Sequence, residues 1–579
     1  MSKANQQHAV DVAAQCFLNA MLRETNDWQY HASANDTRIG FIQIPLVDQS
    51  YLHIDVIYFS VTQHHQYAFP ARRVFEQGEQ QDLDFAQWVD CLLSRPTIRG
   101  HLAPATLAQF RQHVLASHQH TWQAIVHRQD WVTLRDHPLN FAQAEQALLV
   151  GHAFHPAPKS HHPFTESEAR RYLPDYACRF PLQWFAVNKN HVKGKSLHLD
   201  LAQRLRRFAQ QSAPQLLSHF TDDVWLLPMH PWQAKFLLSG PFCQDLQARG
   251  LLTDLGEAGL DWLPTSSCRS LYQPECNDMI KFSLSVRLTN SIRTLSVKEV
   301  ERGILLAKLA NTQDWQQIQM DFPHLQIMQE DAYAALCDDK GQIQAQSLIA
   351  LRVNLLVKVP DQQTNVLVSL TQAAADGGDS LLACCIHRMS QRLNVTTSQA
   401  ARHWLTAYCQ QILLPLFKLQ ANYGLVLLAH QQNILVQMAQ DLPTGLIYRD
   451  CQGSAYTELA APWLQKIGHA QPENQFSQAQ LLRYFPYYLL VNSTLAVTAA
   501  MAQAGFASES ELMDIVKQHL QGLRGSVKDS RCLDYVLDAS HWQCKGNFFC
   551  YLHDHNENTI VDPAIIYFDF VNPFVKEPM

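Results

Sequence analysis

Apolar and polar positions along the chain change period several times, and each change marks an element. Val10, Ala13, Ala14, Phe17, Met21 and Leu22 recur at helical spacing and predict an amphipathic helix at the start. Ile42, Ile44 and Leu46 then alternate with polar residues. After a turn-like Asp48 to Ser50, Leu52, Ile54, Val56 and Tyr58 do the same, so 41–59 reads as two strands. Pro45 lacks an N–H, which places the first of them at a sheet edge. Helical spacing dominates from Phe85 to Val150, with breaks near Pro96, Pro104 and Pro138. Ser296 to Glu299 has capping-box form and opens a helix through Leu309. Strands resume at Leu348 to Val359 and Asn365 to Leu370, and Asp376-Gly377-Gly378-Asp379 reads as a hinge. Ser398 caps a long helix to about Gln420, interrupted at Pro415. The strands Leu425 to Ala429 and Ile434 to Val436 follow.

One stretch, Pro264 to Thr294, combines strand periodicity with clustered charge. Ile280, Phe282, Leu284, Val286 and Leu288 alternate with Lys281, Ser283, Ser285 and Arg287, the pattern of one half-buried strand. Arg269 and Arg293 stand twelve residues on either side of Lys281. Extended chain covers about 3.3 Å per residue, so the three cations share a site only if the segment folds back on itself. Breakers at Gln273-Pro274, Asn277-Asp278 and Thr289-Asn290 permit that. With Thr265, Ser266 and Ser267 ahead of them, the cations form a candidate anion cradle, since hydroxyls and free N–H groups hold phosphate oxygens while Arg and Lys neutralise them. The plainer alternative is a sheet carrying solvated Lys and Arg.

Bulk composition narrows the field. At 579 residues the chain has room for more than one domain, and 47% hydrophobic with 17% charged residues is ordinary for a globular protein. A net charge of −7 without a basic face argues against nucleic acid as the partner. The first ten residues carry no apolar leader and no later run reads as a membrane span, so a cytoplasmic protein without membrane contact is expected. Fourteen cysteines occur without CxxC pairs and read as reduced thiols. Among twenty-eight histidines, His553-Asp554-His555 is the one tight pair with a carboxylate, and it reads as a polar loop rather than a metal site.

Two other places carry candidate chemistry. Gly151-His152-Ala153-Phe154-His155-Pro156, with Lys159-Ser160, follows the apolar run to Val150. There Gly151 suits the end of a helix, and the His and Lys side chains are donors for an anion. His430-Gln431-Gln432-Asn433 lies between two strands, and Asp450 follows the next one. Kinases arrange their Mg²⁺ ligands in this way, so Asn433 and Asp450 are candidate metal ligands on a triphosphate. The N-terminal region reads as scaffold. Cradle, His loops and Asn/Asp pair together imply ATP and Mg²⁺ and leave three readings. A small-molecule kinase lacks its catalytic Asp between Gly424 and Asn433. An adenylating ligase needs no such base, because a carboxylate nucleophile is already ionised and needs charge neutralisation to reach the α-phosphate. A non-catalytic binding protein is the third.

In order along the chain, GHxxHPxxKS at 151–160, HPWQ at 230–233, PTSSxR at 264–269, Lys281, LTNSIRT at 288–294, HQQN at 430–433 and Arg449-Asp450 resemble the IucA/IucC family of siderophore synthetases. The resemblance implies a ligase that adenylates a carboxylate of citrate, or of an amidated citrate derivative, and passes the acyl group to an amine or alcohol. It implies a multidomain α+β fold shaped as a cupped hand: a thumb over 1–144, nucleotide-binding fingers over 145–385, and a kinase-like palm over 386–579. Homodimers are frequent in such a family. By the same resemblance Ser266, Ser267, Arg269, Lys281 and Arg293 hold the ATP phosphates, and His152, His155 and Lys159 line the nucleotide side. Arg293 and His430 reach the carboxylate substrate with Arg483 and Lys545, while Asn433 and Asp450 serve Mg²⁺. His161 and Pro163 stand where the family has Arg and Gly, and Leu428 stands where it has Glu. The wording of LTNSIRT is closest to members using free citrate.

Overall fold

In the computed structural model, residues 10–289, 291–357, 359, 362–555, 560 and 562–575 are described. The protein is a mixed α+β fold. Its central element is an eight-stranded antiparallel sheet, in spatial order Val192–Ser196, Glu330–Leu336, Ile349–Val353, Asp278–Phe282, Ser270–Tyr272, Leu252–Pro264, Phe180–Asn188 and Val224–Met229. A smaller sheet sets Leu325–Ile327 parallel to Leu442–Tyr448, followed by Ile434–Ala439 and Thr364–Val366. An N-terminal five-stranded antiparallel meander covers residues 29–83.

The stretch 264–294 does fold back, but as more than one strand. Asp278–Phe282 belongs to the large sheet, whereas Leu284–Leu288 pairs with Ser291–Arg293 and His161–His162 in a separate sheet. Ser283 makes the break: its Oγ donates to the Ala345 carbonyl at 2.7 Å and accepts the Leu295 N–H at 2.9 Å. Lys281 therefore lies inside a sheet covered on both faces, not on a solvated face. Asn290, part of the expected turn, lies outside the described residues.

Local chemistry explains most other boundaries. The first helix is Val12–Glu24, capped by Asp11. Pro45 is not on an edge strand, because Gly40–Pro45 lies between Gln29–Ala32 and Tyr51–Tyr58. Pro45 is tolerated there because its first neighbour has already ended at Gln29, opposite Gln43. Pro96 and Pro104 open helices at the first turn, where no N–H is needed. The helix expected to reach Val150 ends at Gln146, so Gly151 is not its cap but a left-handed residue (φ +88°) within the following loop. Residues 365–370 are strand only to Val366 and then a short helix, and the strand from Ile349 stops at Val353. Thr396, not Ser398, caps Thr397–Tyr408, because it forms the reciprocal box with Gln399.

Two π-helical stretches interrupt long helices. Cys409–Leu413 precedes Pro415, whose ring and missing N–H a widened turn accommodates. Tyr487–Thr494 follows Pro486. The second lies within Gln478–Gln503, a 26-residue run that is long and apolar enough for a membrane span, contrary to the expectation that there is none. Most of it is buried as a core element of the C-terminal half. That core joins residues 305–327 and 367–389 to residues 400–574. A separate core packs the N-terminal helix and meander against Phe548, Tyr551 and Leu552.

Buried imidazoles make folding sensitive to acid. His65 and His230 are 1% and 0% exposed, and burial pushes both down to about 3. They stay neutral when folded, whereas the unfolded chain takes up their protons below about 6.5. Their contribution is present above that pH and is lost as pH falls toward the folded value. We expect urea unfolding free energy to drop from pH 6.5 to 4.5 by up to about 1.4 kcal/mol per pH unit for each group. His230→Asn, which keeps a capping acceptor for the Trp232 N–H, should flatten that slope, and an unchanged slope would refute the assignment.

Candidate active site

The turn after strand Leu252–Pro264 shows how the cradle is built. Thr265 accepts the Cys268 N–H at 2.8 Å, and its hydroxyl donates to the Ser270 carbonyl at 2.9 Å. Cys268 takes a left-handed conformation (φ +62°), and the Ser267 Oγ accepts the Ser270 N–H at 3.2 Å. The hairpin then returns Lys281 opposite Ser270, beside Arg269. The Arg269 guanidinium donates to the Arg293 carbonyl at 3.1 Å, and Arg293 donates to the Leu288 carbonyl and the Thr289 hydroxyl at 3.1 and 3.0 Å. Ser266, Ser267, Arg269, Lys281 and Arg293 all line one cavity of about 420 Å³.

Charge is distributed unevenly around it. Lys281 is paired with Asp450 at 2.5 Å and reaches Glu330 at 3.4 Å, and Glu330 is bound in turn by Arg352 at 2.6 Å. Those four charges cancel. Neither Arg269 nor Arg293 has an ion-pair partner among the described residues. Burial, and then the neighbouring Arg269, pull the Arg293 guanidinium down to about 10. Two adjacent, uncompensated guanidiniums in a cavity are a site for an anion.

The opposite chain segment follows from strand register. Ile434 faces Tyr448, so Asn433 and Arg449 come together beyond the strand ends, and the Arg449 N–H donates to the Asn433 carbonyl at 3.2 Å. Asp450 follows in a left-handed conformation (φ +75°). Lys281 and Arg352 hold its carboxyl well below the usual range despite burial. Asn433 and Asp450 offer hard oxygen donors of the kind Mg²⁺ shares with phosphate oxygens, so the pair fits that ion. Among the described residues no group of three His, Cys, Asp or Glu side chains could hold a metal, the His553–His555 loop included.

The His loop is internally braced. His152 Nδ1 accepts the Phe154 N–H at 3.1 Å and its Nε2 faces the Asn492 amide at 3.3 Å, while His155 Nδ1 accepts the Ala157 N–H at 3.0 Å. Lys159 donates to Asp175 at 2.5 Å and to the Leu148 carbonyl at 2.7 Å, so its charge is already compensated. His152, His155, Lys159, His161, His430 and Lys545 line the cavity. Burial lowers His152 to about 3 and His430 to about 4, so both imidazoles are neutral at pH 7. Leu428 packs beside the C-terminal core. Arg483 stands outside the cavity lining, 6.0 Å from the Tyr567 ring centroid.

Several partners escaped the reading of the sequence. Glu145, 2% exposed at the side chain, pairs with Arg449 at 2.6 Å and accepts the Ser266 N–H at 2.8 Å. Its signal was an acid inside a nearly apolar helix end, which burial makes costly without a cation. Asp175, Arg352, Tyr488, Asn492 and Asn547 also line or brace the cavity and belong to no motif.

Fold and site together define a protein with a cavity built for a polyanion, as an ATP-using ligase requires. The description "IucA / IucC family" matches residues 140–372, and "Ferric iron reductase FhuF-like transporter" matches residues 402–560. The chain is 56% identical over 570 residues to the N(2)-citryl-N(6)-acetyl-N(6)-hydroxylysine synthase of Escherichia coli, covering 98% of each. It is 40% identical to the enzyme of that name from Vibrio mimicus, covering 97% of this chain and 95% of the relative. The structure of ATP-bound aerobactin synthetase IucA from a hypervirulent pathotype of Klebsiella pneumoniae superposes with a TM-score of 0.94 at 57% identity, covering 98% of this chain and all of that one. The chain belongs to the IucA/IucC family.

The Glu145–Arg449 pair yields a direct test. Glu145→Gln leaves a buried guanidinium without its carboxylate, which should cost about 3–5 kcal/mol. Urea titration of the variant should show that loss, and unchanged stability would show that water already compensates Arg449.

Proposed function

We propose that this chain joins citrate to the primary amine of N6-acetyl-N6-hydroxylysine at the expense of ATP. The names of the relatives at 56% and 40% identity support the substrates, and the ATP-bound neighbour at 57% identity supports the nucleotide. The observation that carries the chemistry is the pair of uncompensated guanidiniums, Arg269 and Arg293, on the cavity that also holds Asp450 and Asn433.

A citrate carboxylate oxygen attacks the α-phosphorus, and the bond to pyrophosphate breaks. The product is citryl-AMP. The amine then attacks the acyl carbon, AMP leaves, and the amine proton passes to solvent. Arg269 and Arg293 take up phosphate charge with the Ser266–Ser267 turn, Lys281 adds an N–H donor held in place by Asp450, and His152, His155 and Lys159 line the nucleotide side. Arg293 also draws in the carboxylate, which removes the repulsion between two anions before they meet. Neutral His430 donates a hydrogen bond as charge builds on the α-phosphate, and Lys545 holds the remaining carboxylates, a role that Arg483, outside the cavity lining, does not share. Mg²⁺, held by Asn433 and Asp450, would neutralise the phosphate oxygens when bound.

The cupped-hand division belongs to the same proposal, with the thumb at 1–144, fingers at 145–385 and palm at 386–579. In its favour, the cavity is lined from the second and third of these segments, as expected for ATP held between fingers and palm.

ATP and citrate should yield AMP and pyrophosphate, with hydroxylamine trapping a citryl hydroxamate. Formation of ADP would mean phosphotransfer instead. Arg293→Lys keeps the charge but loses the two-pronged geometry, so kcat/KM for pyrophosphate release should fall by about 10²-fold or more. Near-normal turnover would remove Arg293 from the chemistry.

A further inference from the structure

The N-terminal helix contains no cavity residue, yet its last two residues touch two segments that carry cavity residues. The Glu24 carboxylate accepts the backbone N–H groups of Phe548 and Phe549 at 2.6 and 3.0 Å. Those residues start the helix Phe548–Leu552, directly after Lys545 and Asn547. Gly546 passes so close that a Cβ there would lie 2.7 Å from Glu24 Oε2, so carboxylate and backbone are mutually fitted. Arg23 anchors the same helix end. It donates to the Thr62 carbonyl and the Gln63 side chain at 2.9 and 3.0 Å, and its guanidinium lies 3.1 Å from the ring centroid of Phe154. Phe154 belongs to the His152–His155 loop, and the His155 ring meets Tyr551 of the helix that Glu24 caps, at 4.8 Å.

We propose that Glu24 is a positioning residue for citrate: it binds no substrate, but its hold on the Phe548 and Phe549 N–H groups sets where Lys545 and Asn547 stand in the cavity. This rests on the reading of Lys545 as a citrate ligand. Two hydrogen bonds from one carboxyl group to one backbone turn add to the packing of Phe548 and Tyr551 in fixing that turn. The phosphate cradle is built from a different segment, residues 265–293, that Glu24 does not touch. The effect should therefore fall on citrate and spare ATP. Arg23 keeps the end of its helix in place, so the reach of Glu24 is set by packing within the N-terminal region.

Steady-state pyrophosphate release, with citrate and ATP varied separately, tests this on the full chain. Glu24→Ala should raise the citrate KM by about tenfold while the ATP KM stays within about twofold. Gly546→Ala should do the same from the other side of the contact, by displacing the carboxylate. Glu24→Gln keeps one acceptor oxygen but sets an NH2 donor against the second N–H, so the citrate KM should rise here too, by less than in Glu24→Ala. If Glu24→Ala does not fold, Gly546→Ala and Glu24→Gln carry the test. A citrate KM unchanged in these variants, or rising in step with the ATP KM, overturns the proposal. Lys545→Ala separates it from the reading beneath. A raised citrate KM in Lys545→Ala but not in the Glu24 variants refutes positioning alone. An unchanged citrate KM in Lys545→Ala refutes the citrate assignment of that wall.

Discussion

The site depends on one buried ion pair, Glu145 with Arg449. The two residues lie 304 positions apart, and neither side chain is more than 3% exposed. Around them meet the helix Phe141–Gln146, the turn carrying Ser266, the loop carrying Gln432 and the strand end before Asp450. Pairs of this kind add little net stability, since desolvating both charges offsets their attraction. What they impose is geometry. Any arrangement that separates them strands a charge in the interior, so the cradle and the Asn433/Asp450 pair are held in one relation.

With that relation set, charge compensation decides what the cavity attracts. Lys281 could have been a phosphate ligand with a free charge, but Asp450 and Glu330 already answer it. Its ammonium is held in place for an incoming phosphate and keeps Asp450 ionised. The unanswered positive charge lies with Arg269 and Arg293, and that excess draws anions into a chain whose overall charge is −7. Neutral His152 and His430 add donors without adding repulsion toward Arg293.

Irregular backbone recurs where side chains must face the cavity. The π-helical stretch Tyr487–Thr494 presents Tyr487, Tyr488 and Asn492 to it. Cys268 and Asp450 take left-handed conformations beside the cations and the phosphate-facing oxygens. In each case a local departure from regular structure lies within a few residues of a functional group, and the surrounding sheets hold it there.

Much was legible along the chain because it is local. Helical and strand periodicity, the Ser296 capping box, the prolines that open helices and the order of short motifs all arise from neighbours in sequence. They sufficed for an α+β protein of this family and for most residues of the cavity. What they left open is decided by partners far apart in sequence. Period-two alternation ran straight through Ser283, but two hydrogen bonds from distant segments split it into strands of separate sheets. Lys159 and Lys281 read as free cations until Asp175, Asp450 and Glu330 closed on them. Glu145 and Glu24 belong to no motif, and their partners Arg449 and the Phe548–Phe549 backbone lie hundreds of residues away. Whether a charge is compensated depends on what lies within about 4 Å in space, and for these residues only the folded chain supplies that neighbour.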